Sequence, residues 1–162
     1  MSANKVAIIM GSRSDLEAMK EAADVLEQFG VSYEMRALSA HRTPAAVQEF
    51  ISGLADRGFA AVIAGAGGAA HLAGVCASHT HLPVIGVPMR TSMAGGLDSL
   101  LSTVQMPRGI PVATTATGGT GAYNAALLAV SMIALSDADM REKYIAFRAA
   151  NTEKVLAQSV IE

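Results

Sequence analysis

Between Gly58 and Ser136 only three side chains carry a formal charge, Arg90, Asp98 and Arg108. A stretch this apolar either crosses a membrane or is covered on both faces. Gly65, Gly67, Gly68, Gly74, Pro83 and Pro88 interrupt it, so no unbroken apolar helix of about 20 residues can be drawn. The segment is therefore expected to lie inside an α/β core and to be covered in part by other subunits. A lone chain of this size would otherwise expose an unusually large apolar patch. A homo-oligomer follows as an expectation.

The 162 residues suit one domain with a real core. The chain is 51% apolar but holds no Trp, three Tyr and four Phe, so Ala, Val, Ile, Leu and Met must build that core. The net charge is −2 and no Lys/Arg cluster occurs. This argues against a nucleic-acid footprint or an anionic membrane as partner, whereas a small phosphorylated ligand needs only one Arg. The single cysteine, Cys76, has no internal partner, and its small neighbours Val75 and Ala77 suit buried packing. No signal peptide is evident: Met1 to Lys5 runs straight into a strand, and the cytoplasm is the expected location.

Short β-rich runs alternate with helical patterns. Lys5–Met10, Ser32–Ala37, Ala60–Ala64, Pro83–Val87 and Pro111–Thr115 read as strands. Ser14 and Glu17 have capping-box spacing ahead of Leu16, Met19, Ala23 and Leu26, and Gly30 ends that helix. Thr43-Pro44 reads as an N-cap with Pro at the first helical position, leading to a helix closed by Gly58. A short helix starts near His71, Asp98–Met106 is helical, and Asn124–Leu135 is a buried helix. This alternation predicts one three-layer α/β/α sandwich with a parallel, flavodoxin-like sheet. Residues 1–136 form the α/β unit. Residues 137–162 add a long helical arm striped by Met140, Tyr144, Phe147 and Val155, expected to pack on a neighbouring subunit.

Ligands of open parallel sheets bind where loops leave the carboxyl ends of the strands. The first three such loops are Gly11–Asp15, Ser39–Thr43 and Gly65–His71, and they bring Ser12, Ser14, Asp15, Ser39, His41, Arg42, Thr43 and His71 to one end of the sheet. Gly11-Ser12 opens onto a helix N-terminus that favours an anion. Asp15 is either a helix cap or an acceptor for sugar hydroxyls. Arg42 precedes another helix start, where its charge opposes the dipole, which suggests a phosphate partner. His41 stands beside it in a loop and off any apolar stripe, and an imidazole both takes and gives protons near neutral pH. His71 is open between ligand contact and a backbone hydrogen bond. His79 and His81 lack a third ligand for a metal and read as structural. Gly65–Ala70 matches a dinucleotide fingerprint only formally, because it follows the third strand and no acid comes before Asp98. Its glycines better serve to bring backbone N–H groups against a substrate carboxylate.

The segments Met10–Asp15, Ser39–Pro44, Ala64–Leu72, Asp98–Pro107 and Asn124–Ala129 together resemble the N5-carboxyaminoimidazole ribonucleotide mutase family, in order and over nearly the whole chain. The resemblance implies an isomerase of purine biosynthesis that moves a carboxylate from the exocyclic nitrogen of an aminoimidazole ribonucleotide to a ring carbon. It implies no ATP, metal or organic cofactor, and a homo-octamer. Carried over, His41 is the proton carrier; Ser12, Asp15 and Arg42 are substrate ligands. Gly11, Ser39 and Ala40, with Gly67, Gly68, Ala69, Ala70, His71 and Leu72, would line the pocket. The chain departs from the family at Ala73, where Pro is common, and at Ala116–Tyr123.

On this reading His41 protonates the carbamate nitrogen, carbon dioxide is held in a dry pocket, and the ring carbon recaptures it. Two alternatives remain: a carboxylase that joins free carbon dioxide to aminoimidazole ribonucleotide, and a non-catalytic nucleotide-binding regulatory domain. A nicotinamide-dependent oxidoreductase is weaker than either.

Overall fold

The structure, a computed structural model, describes residues 5–161. The expectation for the amino end falls partly on residues 1–4, which lie outside the described residues. The strands are β1 (Lys5–Met10), β2 (Ser32–Ala37), β3 (Phe59–Ala66), β4 (Val84–Pro88) and β5 (Ala113–Thr114). The helices are α1 (Leu16–Phe29), α2 (Pro44–Ser52), α3 (Leu72–His79), α4 (Leu97–Val104), α5 (Gly119–Ile133) and α6 (Ala138–Leu156). Every strand pair is parallel and the sheet order is β2-β1-β3-β4-β5.

The two-residue period of a strand sends alternate side chains to opposite faces. In β1 and β3, Val6, Ile8, Met10, Ala61 and Ile63 pack under α1, α5 and the start of α6. Their neighbours Ala7, Ile9, Val62 and Ala64 face the other way, with Val47 and Ile51 of α2 and Leu72 and Cys76 of α3. Continuous apolar strands are thus buried on both sides, which explains the missing polar alternation in the sequence. Each fully buried Val, Ile or Leu contributes about 1.5–3 kcal/mol relative to exposure.

Local details differ from the sequence reading. No capping box forms at α1: Ser12, not Ser14, caps a 3-10 turn over Arg13–Asp15 by accepting from Ser14 N at 3.3 Å. The Thr43 hydroxyl makes no cap to α2 and instead donates to Ser39 O at 3.0 Å and accepts from Ser39 N at 2.9 Å. It folds the His41 loop back on itself. Helix α2 ends at Ser52, and Gly58, at φ +77°, closes the turns after it. Strand β5 shrinks to two residues, and α5 begins five residues before the expected Asn124, at Gly119. That early start needs glycine, since a Cβ at Gly121 would fall 1.7 Å from Ala116 O.

Helix α6 begins with Asp137 accepting from Met140 N at 2.9 Å. Its first half returns to its own domain: Met140 is buried, and Tyr144 and Phe147 meet Phe29 in tilted and edge-to-face contacts with centroids 6.2 and 5.3 Å apart. Val155 and Leu156, further along, are exposed. A second exposed apolar stripe, Leu97, Leu101 and Val104, runs along the outer face of α4.

Candidate functional site

The strand order reverses between β1 and β3, where loops diverge to opposite faces and leave a crevice. Gly11 N donates to Gly65 O at 3.0 Å, tying the first loops together. A cavity of about 460 Å³ opens above this point. Its walls are Gly11, Ser12 and Asp15 from the β1 loop and Ser39 to Arg42 from the β2 loop. Gly67, Ala69 and Leu72 of the β3 loop complete those walls.

The β2 loop is shaped by short hydrogen bonds. Arg42 N donates to Ser39 Oγ at 3.2 Å, and the guanidinium reaches across to Gly11 O at 3.1 Å. That contact leaves most of the guanidinium donors free for an anion. His41 projects from the same turn, and its Nε2 lies 2.9 Å from Nδ1 of His71, the rings edge-to-face at 87°. At that distance one ring donates and the other accepts. His71 is therefore outside the cavity wall but in direct contact with the residue singled out for proton transfer.

Asp15 is half-buried at the cavity wall. Burial raises its carboxyl above the ordinary value, opposed by hydrogen bonds from Ser14 and from the Ser12 region. A carboxylate short of solvent gains from hydroxyl donors on a ligand. Cys76 is removed from the site: burial pushes its thiol up to about 12, and it packs between α3 and the sheet.

The β3 loop alternates. Gly67, Ala69 and His71 are exposed at the crevice, whereas Ala70 and Leu72 are buried and Gly68 is half-buried. The N–H groups of Gly68 and Ala70 turn inward and donate to Ser99 Oγ at 2.9 Å and Ser102 Oγ at 3.0 Å on α4. They are occupied within the protein, and of the run Gly67–Leu72 it is Gly67, Ala69 and Leu72 that border the cavity. Gly68 sits at φ +69°, where a side chain is strained.

A fourth loop, absent from the sequence reading, also borders the crevice. Met89, Arg90 and Thr91 follow β4 and line the same cavity. The Arg90 side chain runs along Gly118, where an added Cβ would meet it at 3.3 Å, and Arg90 also lines a neighbouring cavity with Asp15, Glu17 and Glu21. The signal was present: Arg90 is one of three charges between Gly58 and Ser136 and stands two residues past the end of β4. Among the described residues no group of three His, Cys, Asp or Glu side chains could hold a metal ion, and no helix is long and apolar enough to cross a membrane.

Comparison with known proteins agrees with this geometry. The AIR carboxylase family profile matches residues 5–154. A protein of Vibrio parahaemolyticus named N5-carboxyaminoimidazole ribonucleotide mutase is 54% identical over 153 residues, covering 94% of this chain and 95% of its own. A Pyrococcus abyssi protein of the same name is 56% identical over 144 residues, 89% of this chain and 82% of its own. The crystal structure of Treponema denticola PurE superposes with a TM-score of 0.86 at 29% identity, over 94% of both chains. With likeness of this depth along nearly its whole length, the chain belongs to the N5-carboxyaminoimidazole ribonucleotide mutase family.

Proposed function

We propose that this chain converts N5-carboxyaminoimidazole ribonucleotide to the 4-carboxy isomer in purine biosynthesis, with His41 as the proton carrier. The observation that carries the reading is the meeting of His41 and Arg42 with Ser12 and Asp15 in one crevice of nucleotide size. The Arg42 guanidinium and the Ser12 hydroxyl suit the phosphate, and Asp15 suits the ribose hydroxyls.

The reaction balances without an external reagent. Protonated His41 gives its proton to the carbamate nitrogen, the N–C bond breaks with its electron pair staying on nitrogen, and carbon dioxide leaves. The electron-rich ring carbon then attacks the trapped carbon dioxide and forms a C–C bond. Neutral His41 takes the proton from that carbon, the ring regains aromaticity, and the imidazolium is restored. His71, 2.9 Å from His41, orients the ring and fixes which nitrogen faces the substrate. Holding carbon dioxide requires a closed pocket. In the single chain His41, Arg42, Gly67 and Ala69 are exposed, so substrate and neighbouring subunits have to complete the enclosure.

We infer a homo-octamer in the cytoplasm. Support for assembly comes from the exposed stripe Leu97, Leu101 and Val104 and from Val155 and Leu156 on the arm. Light scattering checks it, and a clean monomer contradicts it.

The test of activity is ATP-free formation of the 4-carboxy product from two mixtures. One contains the N5-carboxy substrate; the other contains aminoimidazole ribonucleotide with low bicarbonate. Rapid conversion of the first alone supports the mutase. Equal or faster conversion of the second makes the protein a carboxylase, and binding without turnover in either makes it a nucleotide-binding domain.

A further inference from the structure

We propose that Ser99 and Ser102, on the inward face of α4, are positioning residues that hold the β3 loop in the shape needed to retain carbon dioxide. The inference rests on the mutase reading and extends it to residues that do not border the cavity.

Ser99 is fully buried, and Thr103 nearly so, in a chain whose core is otherwise apolar. Burying a hydroxyl is unfavourable unless it is hydrogen-bonded. Two of the three hydroxyls on this face, those of Ser99 and Ser102, engage the β3 loop, while the Ser102 proton also has Asp98 O of its own helix at 2.7 Å. Ser99 Oγ accepts from Gly68 N at 2.9 Å. Ser102 Oγ accepts from Ala70 N at 3.0 Å and has Gly68 O, also at 3.0 Å, as one partner for its proton. Thr103 Oγ1 donates to Ser99 O at 2.8 Å and locks the helix turn that carries Ser99. The loop is thus pinned at alternate residues, 68 and 70. Pinning these turns 67, 69 and 71 outward, and 71 is the histidine that touches His41. Helix α4 is itself anchored to the β4 loop, where Thr91 Oγ1 donates to Asp98 Oδ1 at 2.6 Å.

The same constraint bears on the chemistry. Between bond breaking and bond making, carbon dioxide has two fates, recapture by the ring carbon or escape. Escape is the balanced reaction of the N5-carboxy compound with one proton to give aminoimidazole ribonucleotide and carbon dioxide. A β3 loop free to shift by about 1 Å favours escape, since recapture depends on a near-attack geometry while escape does not. A residue that only supports the fold would lower the amount of active protein and leave the ratio of the two fates unchanged.

The experiment measures both products per substrate consumed, after subtracting breakdown in enzyme-free buffer, for the wild type, Ser99→Ala, Ser102→Ala and Ser102→Thr. Expected for the alanine variants are a KM within about twofold of wild type, a kcat about tenfold lower, and an escape fraction about tenfold higher. Ser102→Thr keeps the hydroxyl and restores the ratio. Amide exchange across residues 67–71, measured without substrate, is expected to quicken in the alanine variants and gives an independent reading if one of them is unstable. Alanine variants with the wild-type escape fraction, or with unchanged exchange in the loop, overturn the proposal whatever their kcat. A wild-type chain that converts no substrate defeats the functional reading itself, and this inference falls with it.

Discussion

Replacing His41 by Asn separates chemistry from folding more cleanly than any other change in this crevice. The His41 side chain is exposed and its ring makes one contact, with His71 at 2.9 Å. Asn is too short to keep that contact. An exposed substitution away from the core changes stability by about 0.5 kcal/mol or less. For a chain of this length that corresponds to a shift in melting temperature of about 1–2 °C. Loss of a positioned acid or base lowers rates by about 10²–10⁴-fold, and here the same ring serves both steps. The expected variant melts with the wild type, binds substrate with little change in affinity, and has a kcat reduced by about 10³-fold. The assay is conversion of the N5-carboxy substrate at saturation, followed by absorbance, beside a thermal melt and a binding titration. A folded His41→Asn protein that retains half the wild-type kcat would refute the assignment of His41 as proton carrier.

Three further outcomes follow from the same geometry. Arg90→Ala is expected to raise KM about tenfold with kcat nearly unchanged, because Arg90 lines the cavity as a cation for an anionic group and takes no part in the proton transfer; a variant with wild-type KM rules Arg90 out as a ligand. Asp15 binds its proton more readily folded than unfolded because burial raises its pKa, so its contribution to stability is present at acid pH and is lost as pH rises through the folded value. At neutral pH Asp15→Asn should therefore keep or raise the melting temperature while raising KM; a drop in both stability and affinity would point to a structural role. Cys76, with its thiol pushed up to about 12, should resist iodoacetamide at pH 8 in the native protein and react once unfolded, and rapid native labelling would contradict its buried setting.

The layer order was legible because hydrophobic patterning reports burial on both sheet faces directly, as in Val6–Met10. The candidate residues were legible as far as one rule reaches, namely that loops at the carboxyl ends of parallel strands meet. Ser12, Asp15, His41 and Arg42 come together for that reason. The sequence could not reveal how hydroxyls distribute among competing partners. Ser14 and Thr43 had the spacing of caps, yet Ser12 and a loop-closing bond took those parts, since caps and turns use the same short-range geometry. Gly68 and Ala70 looked like ligand donors from their place in a glycine run. Ala70 N–H reaches Gly68 O at 2.8 Å, and the long-range approach of α4, about thirty residues later in the chain, engages both N–H groups. Arg90 is marked by charge and by its place after the fourth strand, so the rule that gathers the first three loops extends to it as well. Val155, read as part of a stripe meant for a neighbouring subunit, is exposed in the single chain, whereas Met140 of the same stripe is buried in its own domain.

Helix α4 is only eight residues long and carries two unrelated faces. Ser99 and Ser102 grip the β3 loop, while Leu97, Leu101 and Val104 stand exposed on the opposite side. Any body that settles on the outer face, or is pried from it, leans on the helix that shapes the crevice. A compound wedged against those three side chains would then slow turnover from outside, without competing with substrate. Such an inhibitor would not lose potency as substrate accumulates, and resistance to it would arise in residues that never meet the nucleotide.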